Sequence, residues 1–590
     1  MTRDPGHAPC RLRRWLRRWP GRHEAVAAAA GLGAGALELG PGLADGFVLT
    51  YDMVFVPDPP ITGRLFGLTG SVPRAVPSDL VIAALSWLAP TDIVQKLVLL
   101  AIFGLAAAGV AALVPGETLA PKLAAGTFYV WNPYVYERLV LGHWALLLGY
   151  AALPWVVRAT VHLGTRRPGG ARGLARAFLP AAVGGFMAMI ITGVTAVTVS
   201  LTSSGRARSL ATVCLVVTAL SLPWLLPGLL RPAGVPGDPA GVDAFAARAD
   251  TPLGVLGSLL LLGGIWNREV VPPGMDSWVT TSCRLALLGV ALWGYLRLRR
   301  ENPPYWSGLL LAAAVGLGLA STGITEPGRS VLRWLVSVLP AASLLRDAQQ
   351  YIAPLALLQA VGLGAAVAAA VRWARASSAH ARAGASALGV LGILAPLALL
   401  PGLAWGAWGR LDAVHYPAGW GRVRAIAAAD PVDGAVLVLP WSSYRTFAWN
   451  RDRPLLDPAP RMFDRRVVRN DAVRVGSLTI ATEDPVARSL GPTVTSRHPL
   501  TPALRTAGVR YVLVEHPRGV GENTFHRRLT GSRLVFDGAH LRLYRVPQPA
   551  GFQEKTPPGW AVTVGDLLAV TVCLWSFFRT PSILTTVTPE

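Results

Sequence analysis

Charge is scarce in this chain. Only 15% of its 590 residues are Asp, Glu, Lys or Arg, where a soluble protein of this size carries about 25%. That shortfall excludes a disordered chain and a coiled coil, and it argues against an ordinary soluble enzyme. Lysine is nearly missing: Lys96, Lys122 and Lys555 are the only three, and arginine supplies every other cation. Cysteine is limited to Cys10, Cys214, Cys283 and Cys573, so neither a disulfide framework nor a paired zinc motif is available. The chain contains no Walker loop, HExxH, GxSxG or CxxC segment. Redox, ATP-driven and zinc-hydrolase chemistry therefore lose their usual signals.

What is abundant is apolar. Hydrophobic residues make up 52% of the chain and the mean hydropathy is +0.43, the composition of a polytopic membrane protein. The formal net charge is +22, which raises the question of nucleic-acid binding. The positions of the arginines answer it. They fall in short clusters between apolar runs: Arg11 to Arg22, Arg158 to Arg176, Arg206 and Arg208, Arg297 to Arg300, and Arg372 to Arg382. This is the positive-inside pattern of cytoplasmic loops, not a basic face on a soluble fold.

A membrane-crossing helix needs about 20 mostly apolar residues. The candidates are 25–48, 95–115, 118–135, 139–157, 209–230, 278–296, 305–321, 350–371, 384–407 and 559–578. With shorter pieces included, the chain is expected to hold about 10–13 membrane segments. The first run shows no convincing cleavage site and reads as a retained span behind a basic cytoplasmic N-terminus, 1–24. Segment 177–203 is ambiguous. Read as two half-helices broken at Thr192-Gly193, it keeps every later arginine cluster inside.

On this map the membrane domain covers 25–408, with outer loops at 49–94 and 231–277, and 558–590 forms a last span and a cytoplasmic tail. Within 231–277 the apolar core is too short to span and suits an interfacial or re-entrant helix. Residues 409–557 change character. AVLVLP (435–440) and VRYVLVEH (509–516) are typical of buried strands, and RLVFDGAHLRLYRV reads as a hairpin turning at Asp537-Gly538. Thr501 is a plausible cap for a short helix. The chain therefore reads as an α-helical polytopic membrane protein with a small extracytoplasmic α/β domain near the C-terminus.

Candidate chemistry concentrates on the outer side. Asp52 follows the first span almost at once, with Asp58 six residues later. An acid at the mouth of a membrane cavity can deprotonate a hydroxyl or hold a divalent cation, whereas an ordinary loop acid does neither. Glu137, Arg138 and His143 lie at the outer ends of adjacent spans, where a cation and an imidazole suit a lipid phosphate. The alternative is interfacial packing among Trp131, Tyr134, Tyr136 and Trp144. In SVLPAASLLRDAQQYIAPL, Arg346 and Asp347 sit at membrane depth, as functional-site residues or as a structural ion pair at a helix start. Trp441, Tyr444 and Trp449 are either sugar-stacking aromatics or core residues.

A basic N-terminus, one span and then an outer loop with an early aspartate resembles the C-superfamily (GT-C) of integral-membrane glycosyltransferases. The segments GTFYVWNPYVYERLVLGHWALLLGYAALPW, LGGIWN and LLRDAQQYIAPLALLQAVGLG further resemble actinobacterial membrane proteins related to arabinofuranosyltransferases of the cell wall. VLVLPWSSYRTFAWN and GVRYVLVEH look like outer domains attached to such proteins. The family often carries two clustered acids in the first outer loop, whereas Asp52 is followed by Met53 and Val54.

The resemblance implies transfer of a sugar, of arabinofuranose or mannose class, from a polyprenyl-phosphate donor to an envelope glycan or glycolipid. Asp52 would be the general base. Arg138, His143 and Arg346 would bind the donor phosphate and neutralise its developing charge, with Asp58, Glu137 and Asp347 as secondary acids. No cofactor is certain, and a divalent cation such as Mg or Mn remains open. Two other readings stay open: a non-catalytic GT-C-like scaffold partner, and a transporter of a lipid-linked precursor.

Overall fold

Long apolar runs become helices, and several continue through an internal proline: Pro154, Pro180, Pro223, Pro227 and Pro396. The computed structural model describes residues 21–164, 170–234, 237–376, 379–517 and 525–578. The bundle comprises α1 (Arg22–Leu39), α2 (Thr91–Leu113), α3 (Leu119–Val130), α4 (Pro133–Val140), α5 (Trp144–Gly164), α6 (Gly170–Gly184), α7 (Phe186–Leu201) and α8 (Arg206–Leu229). It continues with α9 (Trp278–Leu298), α10 (Trp306–Ser321), α11 (Glu326–Val338), α12 (Ala353–Ala376) and α13 (Ala379–Leu399), and is completed by a last helix at Gly559–Phe577.

Among the described residues seven helical stretches are long and apolar enough to cross a membrane, or up to nine if each of two bent pairs is one span. The chain is a multi-pass membrane protein. The apolar stretch leading through α12 is buried at every residue from 348 to 369, which makes it the axis of the bundle. Outer helices such as α8 and α9 leave Leu215, Val279, Leu296 and Trp293 exposed, as a lipid-facing surface requires.

Both ends of the bundle can be followed by contact. At one end α5 finishes against the turn after α7, with Gly164 beside Ser204. Arg172 donates to the Phe578 carbonyl at 3.2 Å, Arg372 pairs with Glu301 at 3.1 Å, and Lys122 with Glu24 at 3.1 Å. The arginine clusters among the described residues thus gather at that end. The cluster from Arg11 to Arg18, Arg166, Arg167, the Arg375 and Arg382 side chains and the tail from 579 lie outside the described residues.

Segment 177–203 forms a helical hairpin, but its break differs from the expected position. Thr192-Gly193 lies inside a continuous α7, where the Thr192 hydroxyl bonds back to the Ala188 carbonyl at 2.7 Å. The turn is at Gly185, which has φ +73 and would place a Cβ 2.6 Å from the Val76 carbonyl oxygen. Only glycine fits both demands. Gly184 packs on Ala145 and Gly149 on Ala188, both near the start of α5. The hairpin therefore turns at the end opposite the arginines. The span expected at 118–135 is shorter than anticipated, because Asn132 and Pro133 end α3 and start α4.

Beyond the bundle the chain folds as a sheet-containing α/β unit, with strands where the apolar patterns place them. β1 (Ala435–Leu439), β2 (Tyr444–Thr446), β3 (Pro454–Leu456), β4 (Val467–Val468), β5 (Val509–Glu515), β6 (Arg533–Asp537) and β7 (Leu541–Arg545) are its main strands. Five form one sheet in the order β6-β7-β5-β1-β4, with β1 parallel to β4 and β5 and the others antiparallel. All residues of β1 and β5 are buried, as expected of strands covered on both faces.

The period of two divides the sheet cleanly. Val436, Val438, Tyr511 and Leu513 join the core that continues into the bundle, with Trp420 and Val423 of α14 (Gly419–Ala428). Leu437, Leu439, Val512 and Val514 face a second core with Leu490 of α15 (Pro485–Thr495). Thr501 is not a cap. It is the first helical residue, and its hydroxyl pairs with Ser532 at 2.9 Å.

Candidate functional site

The site starts from a short helix placed between two long ones. The Asn132 carboxamide oxygen accepts from Val135 N at 3.1 Å and Pro133 opens α4, an arrangement that fixes the helix start. The helix ends at Gly142, φ +78, where a Cβ would lie 2.1 Å from Met53 N. Glycine here lets the loop after α1 lie directly on the helix end. Thr50 Oγ1 donates to the Val140 carbonyl at 3.0 Å, and Asp52 N to the Leu141 carbonyl at 3.1 Å. These contacts set Asp52 beside His143.

From there the side chains form a continuous polar chain. His143 Nε2 lies 3.2 Å from Asp52 Oδ2, and His143 Nδ1 lies 3.2 Å from Arg138 Nη1. Arginine can only donate, so Nδ1 accepts and the Nε2 proton points at Asp52. Arg138 also bonds Asp347, with Nη1–Oδ2 at 3.0 Å and Nη2–Oδ1 at 3.4 Å, and donates to Gln349 Oε1. Gln349 Nε2 donates to Glu137 Oε2 at 2.9 Å and to the Gly263 carbonyl at 3.2 Å. Glu137 meets Asp250, whose carboxylate accepts from Gly264 N. Burial pushes the Asp250 carboxyl up to about 6.

The α/β unit closes the other side. The Tyr444 hydroxyl donates to Asp52 Oδ1 at 2.6 Å. Tyr51 N donates to the Pro454 carbonyl at 2.6 Å and Leu456 N returns a bond to the Tyr51 carbonyl at 2.9 Å. These bonds hold Tyr51 at φ +39, a left-handed conformation that costs about 1–2 kcal/mol in a non-glycine residue. Burial alone would raise the Asp52 carboxyl. Hydrogen bonds from His143 and Tyr444, with the positive charge of Arg461, outweigh it and hold the group below its usual range.

Exposure separates the roles of these residues. The Asp52 side chain is 38% exposed and His143 20%, while Arg138 has no exposure at all. Arg138 stands behind His143, closed from solvent and occupied by its partners. Asp347 is the partner of Arg138 and not of Arg346, so an ion pair between neighbours at the helix start does not form. Arg346 lies apart, 3.7 Å from Glu483 and over the Phe245 ring at 5.3 Å. Asp58 is exposed at φ +46 and does not join the chain of contacts. Trp449 stacks on Phe447 at 5.2 Å, and Trp441 packs on the second core of the α/β unit.

Sequence reasoning missed Gln349 and Asp250, although both lie in segments it singled out. It left Tyr444 as either a sugar-stacking or a core aromatic, and no local signal connects a tyrosine to an aspartate 392 residues away. Among the described residues no three His, Cys, Asp or Glu side chains gather as a metal site requires. Each Asp52 oxygen accepts one hydrogen bond, from His143 or from Tyr444, and keeps a lone pair for a further donor.

No protein-family model matches the chain, and no curated protein does. Solved structures do. Arabinofuranosyltransferase AftD from Mycobacteria superposes with a TM-score of 0.58 and 16% identity, covering 90% of this chain and 40% of that one. A mutant of the same protein gives a TM-score of 0.56 at 16% identity, with 90% and 42% covered. This chain therefore spans well under half the length of its solved neighbour. ArnT from Cupriavidus metallidurans gives a TM-score of 0.33 at 14% identity, too low to compare sites. Over 90% of its length the chain therefore shares a fold with AftD, and here that fold is a multi-pass helical bundle with a sheet-containing unit near its C-terminus.

Proposed function

We propose that this protein is a membrane glycosyltransferase that moves a sugar from a polyprenyl-phosphate donor to a hydroxyl of an envelope glycan or glycolipid. The sugar is of arabinofuranose or mannose class, and the reaction takes place on the face that carries the α/β unit, the outer side of the plasma membrane. One observation carries this reading: a half-exposed carboxylate, Asp52, is held ionised where the membrane helices meet the α/β unit. The fold shared with a protein named an arabinofuranosyltransferase supports it.

In the reaction, Asp52 accepts the proton of the acceptor hydroxyl as its oxygen attacks the anomeric carbon. The bond from that carbon to the phosphate oxygen breaks, and the polyprenyl phosphate leaves with the electron pair. His143, oriented by Arg138, presents an N–H beside Asp52, and Arg138 contributes its charge from behind. Arg346 is a more distant phosphate ligand in this scheme, since it approaches from the Glu483 side.

The test is consumption of lipid-linked sugar by purified protein over a panel of polyprenyl-phosphate donors. Turnover by the wild type, lost in Asp52→Asn, supports the assignment. No turnover with any donor would favour a non-catalytic scaffold in envelope assembly.

A further inference from the structure

The seven long apolar helices carry four acids, Glu24, Glu38, Asp92 and Asp566. Glu24 of α1 pairs with Lys122 at 3.1 Å, and Asp92 of α2 with Lys96 at 3.3 Å. Glu38 has no donor, but it has no exposure either and is closed inside the bundle, where no outside group can reach it. Asp566, on the last helix, differs from all three. It is only half-buried, and it makes no hydrogen bond or ion pair with any of the described residues.

Its depth makes that isolation costly. Trp560, exposed at the start of the same helix behind Pro557 and Pro558, marks the membrane boundary on the face that carries the α/β unit. Asp566 lies six residues further in, about 9 Å along the helix. A lysine or arginine at that depth reaches the headgroups with its long stem, whereas aspartate has a single methylene and cannot. The row of side chains it belongs to opens outward. Thr563, Val570 and Phe577, three residues before it and four and eleven after, are all exposed. Gly565 and Ala569 on the adjoining face are buried, Gly565 against Leu222 and Leu226 of α8. Ionisable side chains inside a membrane are rare and are normally paired or turned to a cavity. Asp566 is turned to the membrane.

We propose that the Asp566 face of the last helix docks a transmembrane helix of another membrane protein, one that carries a lysine or arginine at the same depth. Charge selects this partner. A basic residue in the bilayer bears an insertion cost of its own, and an ion pair with Asp566 relieves both costs together. The apolar neighbours Val570 and Phe577 pack against a helix about as well as against lipid, so they add contact without choosing the partner. A second copy of this chain meeting the same face about a two-fold axis would set aspartate against aspartate. The inference does not depend on the transfer reaction.

The experiment uses the full chain in phosphatidylcholine vesicles. The probe is a synthetic leucine–alanine transmembrane peptide with one lysine about 9 Å from an end of its apolar stretch. The same peptide with leucine in place of that lysine is the reference. Energy transfer between labelled protein and labelled peptide gives both affinities. Wild type should prefer the lysine peptide by about threefold or more, the range of polar pairs between helices in bilayers. Asp566→Leu should show no preference and should keep or gain thermal stability, since no partner within the chain is lost. Should the leucine variant fail to fold, Asp566→Asn, which keeps the size and removes the charge, reads the same loss of preference. No preference in wild type, or a preference kept in the folded variant, overturns the proposal. Self-association of wild type that Asp566→Leu abolishes would assign the face to a second copy and overturn it equally.

Discussion

Asp52 has two hydrogen-bond donors, and they come from opposite parts of the chain. His143 belongs to the helix bundle and Tyr444 to the α/β unit. Each favours the charged carboxylate, so losing either raises the carboxyl's proton affinity. A base works above its own pKa, and activity falls as pH drops through that value. Tyr444→Phe should therefore move the acid limb of the kcat/KM profile to higher pH, by about one unit for one hydrogen bond to a charged group. A limb that stays in place while kcat/KM falls uniformly would reduce Tyr444 to packing.

The two arginines differ in the same measurable way. Arg138→Ala leaves Asp347 without its cation, with Gln349 and His143 misaligned, and should cost about 3–5 kcal/mol of stability. Arg346 has a looser ion pair and one ring contact, so Arg346→Ala should cost only about 1–2 kcal/mol. Comparable losses of thermal stability in the two variants would contradict this ordering. Asp52, Arg138 and His143 were legible from sequence because each sits at the end of an apolar run. Their connections were not, because Asp347 lies 209 residues from Arg138 and nothing local marks it as the partner.

Among the elements, the strands of the α/β unit were read correctly where apolar residues are continuous, as in β1 and β5, and where a hairpin turn is written into the sequence, as between β6 and β7. The three-residue β2 and β3 carry no such pattern, yet they bring Tyr444 and Leu456 to the loop of Asp52. The hairpin α6–α7 was legible from charge placement, while its turn was not. A Thr-Gly pair looks like a breaker, but the threonine hydroxyl can bond back within a helix and leave it intact.

One element makes a pH prediction. Arg445 on β2 lies 3.1 Å from both Asp457 and Glu515, and all three side chains are closed to water. Burial, reinforced by Asp457 and opposed by Arg445, pushes the Glu515 carboxyl up to about 8. A carboxyl raised on folding contributes stability that is full below its unfolded value, about 4.5, and lost as pH rises through about 8. The melting temperature should therefore decline across that window, and Glu515→Gln should flatten the decline. A wild-type profile as flat as that of Glu515→Gln would remove Glu515 from the account.

At the scale of the whole molecule, the described arginine clusters lie at one end of the bundle and Asp52 with the α/β unit at the other. From the positive-inside rule we propose that the α/β unit faces the outside of the cell. Ser477, exposed on the turn between two short strands of the α/β unit, is a suitable labelling position. Ser477→Cys should react with an impermeant thiol reagent in intact cells. Labelling only after lysis would invert the topology and place the site on the cytoplasmic face.

The central claim is that Asp52 acts as the base in a lipid-linked sugar transfer. The most direct measurement compares transfer rates of wild type, Asp52→Asn and Asp58→Asn with one turned-over donor. Loss of a general base costs about 10²–10⁴-fold in rate, so Asp52→Asn should nearly abolish transfer while still binding donor. Asp58→Asn should stay close to wild type, because Asp58 is exposed and its left-handed backbone suits asparagine. Equal rates for wild type and Asp52→Asn would contradict the account.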